Sequence, residues 1–238
     1  MRIIATIRTL NEEDNIEKCC KSYAEFCDLI LIGDGGSTDR TIEIAEQMPK
    51  TKVGFFLEKV ECANGIWRNP DYKHLMFLWD WAIAEGADWI ISQDCDQRPN
   101  KFLKQDARII FEDMKKDFLM ATQIYVWGKD YYFPELSGKD TGWMQGLWAW
   151  RANINMKVID KMPHFEFSLD GNTSFDVDKL NRHEKLLPPY CYLHLGWQTE
   201  EQTNAHIEYY KKSELIKDML HPINFGGRLE PLEDWMVE

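Results

Sequence analysis

An α/β fold with a mostly parallel sheet covered by helices on both faces is predicted by three observations. Strand-type and helix-type hydrophobic periods alternate through residue 93. The strand runs are short and continuously apolar, as strands buried on both faces require. Three of them run straight into polar turns, Thr9–Glu13, Gly33–Asp39 and Asp94–Arg98. In sheets of this kind ligands sit beyond the C-terminal strand ends, so the three turns are expected to line one cleft.

The elements follow in order. Arg2–Ile7 reads as the first strand, and Asn15–Ala24 as a helix with Ile16, Cys19, Cys20 and Tyr23 on its inner stripe. Leu29–Ile32 is the second strand. The next helix opens at Ser37-Thr38-Asp39, with Ser37 or Thr38 as N-cap, and carries Ile42 and Ala45. Val53–Leu57 is the third strand. A long helix, Asp71–Ala84, turns Leu75, Leu78 and Ala82 inward, and Trp89–Ile91 delivers the turn SQDCDQRP. A helix over Lys101–Lys115 and a strand over Phe118–Val126 come next. From Lys129 to Pro189 the pattern is aromatic and rich in turns, and resists division. Tyr190–Leu195 reads as a strand, Glu200–Leu220 as a helix, and 221–238 as an irregular tail. The chain is therefore expected to form one domain over 1–220, with a ligand-binding half to residue 100 and a second half beyond.

Composition narrows the function. The chain has 238 residues, 44% of them hydrophobic, and a formal charge of −12. That charge excludes a general nucleic-acid backbone binder, which needs a basic stripe. It leaves phosphate ligands open, because a bound cation inverts the local field. Six cysteines show no CxxC pairing and fit reduced thiols, several of them core fillers, with Cys95 turned away from its flanking aspartates and read as packing. With an N-terminus unlike a leader peptide and no run of eighteen apolar residues, the expectation is a cytoplasmic protein. The apolar stretch WMQGLWAW (143–150) reads first as a strand or pocket wall, and second as peripheral contact with the inner face of a membrane. Oligomeric state is not legible.

The chemistry concentrates in the turns. Asp94 and Asp96 can offer oxygen ligands to a hard divalent ion and leave most of its shell to phosphates and water. A bare D-x-D also occurs in ordinary acidic loops; its place directly after a buried strand makes the metal reading the sharper one. In GDGGSTD (33–39) the glycines permit close approach of a ligand, Asp34 can accept from a base or ribose edge, and Asp39 suits the first turn of a helix. The segment is no dinucleotide fingerprint, lacking G-x-G-x-x-G.

Taken together, TIRTLNEEDNIEKC (6–19), LILIGDGGSTDRTIEIAEQ (29–47) and DWIISQDCD (88–96) resemble the nucleotide-sugar half of the family 2 glycosyltransferases over roughly residues 3–100. The resemblance implies a GT-A-like, Rossmann-like fold and metal-dependent, inverting transfer from a nucleoside diphosphate sugar of UDP or GDP type. The acceptor would be a hydroxyl on a glycan or lipid-linked molecule of surface-glycan or lipopolysaccharide synthesis. It implies that Thr9, Asn11, Glu12 and Asp34 line the nucleobase and ribose pocket. Asp94 and Asp96 would hold Mn2+ or Mg2+ on the diphosphate. Gln97 stands where the family usually carries a further acid. The family's Glu-Asp base motif is matched only by Phe175-Asp176, which leaves Asp176, Asp170 and Glu166 as candidate bases. His194, at the end of YCYLHLGW, reads either as a core histidine or as a metal or diphosphate ligand. Arg68 and Lys73 are solvated cations or offset diphosphate charge. Trp143, Gln145 and Trp148 are core residues or a sugar platform. A nucleotidyltransferase acting on sugar phosphates, and a non-catalytic nucleotide- or glycan-binding protein, are the rival readings. The GDGGSTD turn after the second strand, with no glycine-rich phosphate loop after the first, speaks against the former.

Overall fold

The computed structural model describes residues 1–61, 67–134, 137–154, 156–161, 164–171, 173–174, 177–197, 204 and 228–237. The first half alternates as expected: β1 (Ile3–Thr9), α1 (Ile16–Ala24), β2 (Leu29–Asp34), α2 (Thr41–Glu46), β3 (Thr51–Phe55), a short hairpin of β4 (Val60–Glu61) and β5 (Trp67–Arg68), α3 (Asp71–Ala84) and β6 (Trp89–Asp94). β7 (Gln97–Pro99), α4 (Lys101–Asp113), β8 (Phe118–Trp127), β9 (Tyr131–Tyr132) and β10 (Gln145–Arg151) follow. The hairpin β11 (Lys157–Lys161) and β12 (His164–Ser168), the long β13 (His183–Trp197) and β14 (Glu230–Pro231) complete the described strands.

The strands β3, β2, β1 and β6 lie side by side and parallel. β10 joins β6 antiparallel, β8 joins β10 antiparallel, and β13 runs parallel to β8 before its upper part pairs with β7. β9 and β14 extend the far edge. The sheet is therefore parallel in its first half and mixed beyond β6. All six β2 residues are buried, as a strand covered on both faces demands. Side chains alternate across the sheet. Ile3, Ala5 and Ile7 pack with α1 and α4, whereas Ile4 packs with Leu75, Leu78 and Trp79 of α3. Burial of each such Ile or Leu contributes about 1.5–3 kcal/mol. Cys19, Cys20, Cys27, Cys95 and Cys191 are buried free thiols, so the packing role read for them holds.

Several boundaries shift. α2 begins at Thr41, with Arg40 rather than Ser37 or Thr38 at the N-cap position and no side-chain cap bond; Asp39, just ahead of it, accepts from both the Thr41 N–H (3.0 Å) and its hydroxyl (2.5 Å). α4 starts on Asn100, whose Oδ1 accepts from Leu103 N at 2.9 Å. The same Asn100 donates to Pro189 O and Trp235 O. The end of the chain is less irregular than expected: Glu230–Pro231 pairs with β9, and Met236 is fully buried with Leu193 and Leu195. The helix expected over 200–220 lies outside the described residues, apart from residue 204.

Candidate functional site

The register brings the three turns together. Thr9 pairs with Asp34, and Arg8 pairs with Gly33 on one side and Asp94 on the other. The C-terminal ends of β2, β1 and β6 are thus neighbours, about 4.8 Å apart.

The second turn is organised by Asp34, which is fully buried. Its Oδ1 accepts from Gly36 N and Ser37 N, both at 2.8 Å, and its Oδ2 from Ser37 Oγ (2.5 Å) and Thr9 Oγ1 (3.0 Å). A carboxylate offers about four lone-pair sites, so Asp34 shapes the turn with all of them, and a base reaching it displaces one of these donors. Asn11, at φ 56°, clamps the first turn to the second: its N–H donates to Ser37 Oγ and its Oδ1 accepts from Thr38 N, both at 2.8 Å. Gly35 leaves room for Asn69; a Cβ there would lie 2.4 Å from Asn69 Oδ1. Beneath the turn, His74 of α3 donates through Nε2 to Gly33 O at 2.9 Å. Burial and the Arg8 charge push its pKa down to about 4, so the ring is neutral.

The acidic turn carries the strongest field. Arg8 reaches Asp94 Oδ1 through Nε (2.8 Å) and Nη2 (2.6 Å), and Asp71 through Nη1 at 3.3 Å. Both contacts to Asp94 fall on one oxygen, so the guanidinium engages one edge of the carboxylate. Asp96 faces His194, with Oδ2 and Nε2 3.2 Å apart. Burial pulls the His194 pKa down, but the Asp96 charge and hydrogen bond, with Asp94 behind them, outweigh it and hold the imidazole above its ordinary range. Gly196 is part of this corner, since a Cβ there would lie 2.6 Å from Asp96 Oδ2. Glu12 sits beside the aspartates. Burial first, then the Asp96 charge, with smaller pushes from Asp94 and Asp39, raise its carboxyl to about 7 against a lowering bond from Asn15.

These donors fit a divalent cation in kind: two carboxylates and an imidazole, in a corner with excess negative charge, suit Mn2+ and, through the oxygens, Mg2+. Among the described residues no three acidic, histidine or cysteine side chains already converge on one point. Asp96 and His194 are together, and Asp94 is held aside by Arg8.

Next to Asp94 lies a cavity of about 160 Å³. Its apolar wall is Leu75, Trp79, Leu147, Trp150 and Phe167; its polar side is Arg8, Asp94, Gln93, Gln123 and Tyr192. Trp79 and Trp150 meet edge to face at 4.5 Å, and Trp79 Nε1 donates to Ser92 Oγ at 3.1 Å. Behind the polar side runs a chain of contacts. Tyr192 Oη lies 3.1 Å from Gln123 Oε1, and Gln123 Nε2 lies 3.5 Å from His194 Nδ1.

Trp148 corrects the sugar-platform reading. It is fully buried between Phe26 and Phe111 on the opposite face of the sheet. A bulge between Leu147 and Ala149 inserts one residue into β10, so Trp150 rather than Trp148 faces the cavity. Trp143 packs edge to face on Trp235 at 5.3 Å in the far cluster, and is likewise a packing residue. Gln145 donates to Thr122 Oγ1 at 2.9 Å, away from the cavity lining. Lys73 pairs with Glu58 at the surface. Of Arg68 only the strand position is described, and Asp176 lies outside the described residues. Asp170 accepts from Ser168 Oγ and Thr173 N, closing its own turn. Arg8, Asp71, Gln93, Gln123 and Tyr192 were not singled out from sequence. An arginine inside the apolar run of β1 was the one visible signal.

No family model matches the chain. It is 25% identical over 239 residues to an uncharacterised protein of Mycobacterium tuberculosis, covering 95% of this chain and 53% of that one. It is 29% identical over 128 residues to an uncharacterised glycosyltransferase of Rickettsia bellii, covering 52% of this chain and 37% of that one. The chain spans about half the length, or less, of the curated relatives it matches. Among solved structures, residues 1–349 of S. aureus TarS superpose with a TM-score of 0.54 at 17% identity, over 93% of this chain and 67% of that one. The same fragment in complex with UDP-GlcNAc gives 0.54 at 16% identity, over 81% and 58%. The likeness establishes the GT-A-like α/β fold expected from the sequence. No described helix is long and apolar enough to cross a membrane.

Proposed function

We propose that this GT-A-like protein transfers a glycosyl group from a nucleoside diphosphate sugar to a hydroxyl of a glycan or lipid-linked acceptor, with inversion at the anomeric carbon. The observation that carries the reading is the register of β2, β1 and β6. It sets the Asn11–Glu13, Gly33–Asp39 and Asp94–Asp96 turns side by side, with a sugar-sized cavity opening at Asp94. The solved relative that binds UDP-GlcNAc and the named glycosyltransferase relative point the same way.

In this reading the base and ribose lie over the Thr9–Asn11 and Asp34–Ser37 turns, whose shape Asp34 fixes. Arg8 and the Asp94–Asp96–His194 corner face the diphosphate. Mn2+ or Mg2+ held by Asp94, Asp96 and His194 would neutralise charge developing on the departing diphosphate. Arg8, already beside Asp94, adds a fixed positive charge at the same place. The wall of Trp79, Trp150 and Phe167 excludes water from the anomeric carbon. The acceptor's proton goes to a carboxylate in the segment after Phe167. Asp176 is the first candidate there, ahead of Asp170, whose carboxylate is engaged in its turn.

A thermal-shift series with UDP and GDP, each with and without Mn2+, tests the proposal. Stabilisation by one nucleotide that requires the metal, and is lost in Asp96→Asn, is the expected result; mass action gives about 2.7 kcal/mol at a hundredfold excess over Kd. No shift with any nucleoside diphosphate overturns it.

A further inference from the structure

Behind the acidic corner three side chains form one directed chain, and its direction decides which nitrogen of His194 carries a proton. Tyr192 is 4% exposed, with its hydroxyl set against Gly146; a Cβ on that glycine would lie 1.9 Å from Tyr192 Oη and 3.4 Å from Gln123 Oε1. Burial, with smaller pushes from Tyr125 and Asp94, raises the Tyr192 pKa, so the phenol keeps its proton. It donates that proton to Gln123 Oε1 at 3.1 Å. Gln123, itself buried, then turns its Nε2 toward His194 Nδ1, 3.5 Å away. An amide nitrogen only donates, so Nδ1 accepts. The neutral ring therefore carries its proton on Nε2, which faces Asp96 Oδ2 at 3.2 Å.

That is the nitrogen on the cation's side. For Nε2 to act as a ligand its proton must leave, and the ring's one proton must sit on Nδ1. Nδ1–H would then meet Gln123 Nε2, donor against donor. The imidazolium that Asp96 favours meets the same conflict. The imidazole is not placed to relieve it by turning over, because Tyr125 packs on its ring at 5.1 Å and Asp96 engages its far nitrogen. The Gln123 amide is: it borders the cavity, and exchanging its oxygen and nitrogen leaves its shape unchanged. Once turned, Oε1 accepts from Nδ1–H, Nε2 donates to Tyr192 Oη, and the Tyr192 proton loses its acceptor.

Resting on the metal reading above, we propose that Gln123 and Tyr192 are positioning residues that form a tautomer switch on His194, set against the cation by the Tyr192–Gln123 bond and released when the Gln123 amide turns over. The two residues pull in opposite directions. Gln123 supplies the acceptor that the outer nitrogen of a metal-bound imidazole requires, the kind of partner that orients such a ligand and raises its basicity. A cation polarises the ring, so this bond is stronger than the 3.5 Å contact it replaces. Tyr192 holds the amide the other way and weakens cation binding. Gly146 has a part in this too, since only a residue without a side chain admits the Tyr192 hydroxyl.

The test measures Mn2+ affinity of wild type, Tyr192→Phe and Gln123→Met by electron paramagnetic resonance, and the His194 tautomer of the metal-free proteins by 15N nuclear magnetic resonance. Tyr192→Phe removes only the hydroxyl and frees the amide to turn. Its Mn2+ affinity is expected to rise about 3–10-fold, the weight of one neutral hydrogen bond. Gln123→Met removes the acceptor, and its affinity is expected to fall about tenfold. Metal-free spectra, recorded where the ring carries one proton, should show Nε2–H in wild type and a larger share of Nδ1–H in Tyr192→Phe. A network that served packing alone would lower binding in both variants, and a damaged fold does not bind more tightly. Equal or weaker Mn2+ binding by Tyr192→Phe, or Nδ1–H in the metal-free wild type, overturns this inference and leaves the metal reading in place. Failure of wild type to bind Mn2+ overturns both.

Discussion

Replacing Glu12 with glutamine is expected to stabilise the protein at pH 8 and to do almost nothing at pH 5. The carboxyl of Glu12 is raised from its ordinary 4.5 to about 7, first by burial and next by Asp96. A raised acid takes up its proton more readily in the folded state than in the unfolded one. Between 4.5 and about 7 the folded chain therefore holds the extra proton, and stability falls as pH rises through that window. Above 7 the full penalty of a buried carboxylate beside two aspartates is present. At ~1.4 kcal/mol per pH unit, the interval amounts to about 3 kcal/mol as an upper bound. At ~2–4 °C per kcal/mol for a chain of this size, the melting advantage of Glu12→Gln at pH 8 is several degrees. The replacement keeps an acceptor for Asn15 Nδ2 and leaves the bond from the residue 12 N–H to Thr41 untouched. Thermal melts of both proteins at pH 5, 6, 7 and 8 read the difference directly, since titrating groups away from this corner cancel between them. Added Mn2+ should shrink the pH 8 advantage, because a cation on Asp94 and Asp96 relieves the repulsion that Glu12 feels. An advantage that does not change with pH, or one larger at pH 5, refutes the electrostatic account of this corner.

Two further outcomes follow from the same contacts. Arg8→Gln releases Asp94 from its guanidinium and removes a positive charge from the cation's neighbourhood, so Mn2+ should bind several-fold more tightly in titrations read by electron paramagnetic resonance; weaker binding shows instead that Arg8 aims Asp94 at the metal. Gly146→Ala places a Cβ 1.9 Å from Tyr192 Oη, which must move and break its contact with Gln123. Overpacking of this kind costs about 1–3 kcal/mol, measurable by chemical denaturation, and an unchanged midpoint shows that Tyr192 is free to shift.

The parts legible in the sequence were those fixed by local periodicity. β2 is a run of apolar residues because both its faces are covered, and α3 was placed at its observed ends because Leu75, Leu78 and Ala82 share one stripe. The acidic turn was found because it directly follows such a strand. What escaped depends on contacts between distant segments. One inserted residue in β10 exchanges Trp148 for Trp150 at the cavity, and no period within the strand announces it. β13 runs from His183 to Trp197, 15 residues where Tyr190–Leu195 was expected, because its register with β8 shifts between Leu186 and Cys191. The two prolines there supply no N–H to a ladder, so the sequence read as a break. Asp34 was read as facing a ligand; its four acceptor sites are instead spent on Thr9, Gly36 and Ser37, which only the register of β1 with β2 reveals.

α3 touches each part of the site in turn. Asp71 meets Arg8, His74 holds the carbonyl of Gly33, and Leu75 and Trp79 form the cavity wall. From Asp71 to Trp79 is eight residues, about 12 Å along a rigid axis at 1.5 Å per residue. The helix thus acts as a ruler, fixing how far the nucleotide turn stands from the sugar wall. A ligand must match that length, whatever its individual contacts. One residue inserted between Leu75 and Trp79 would rotate everything after it by about 100°, and the two ends of the slot would no longer belong to the same molecule of substrate.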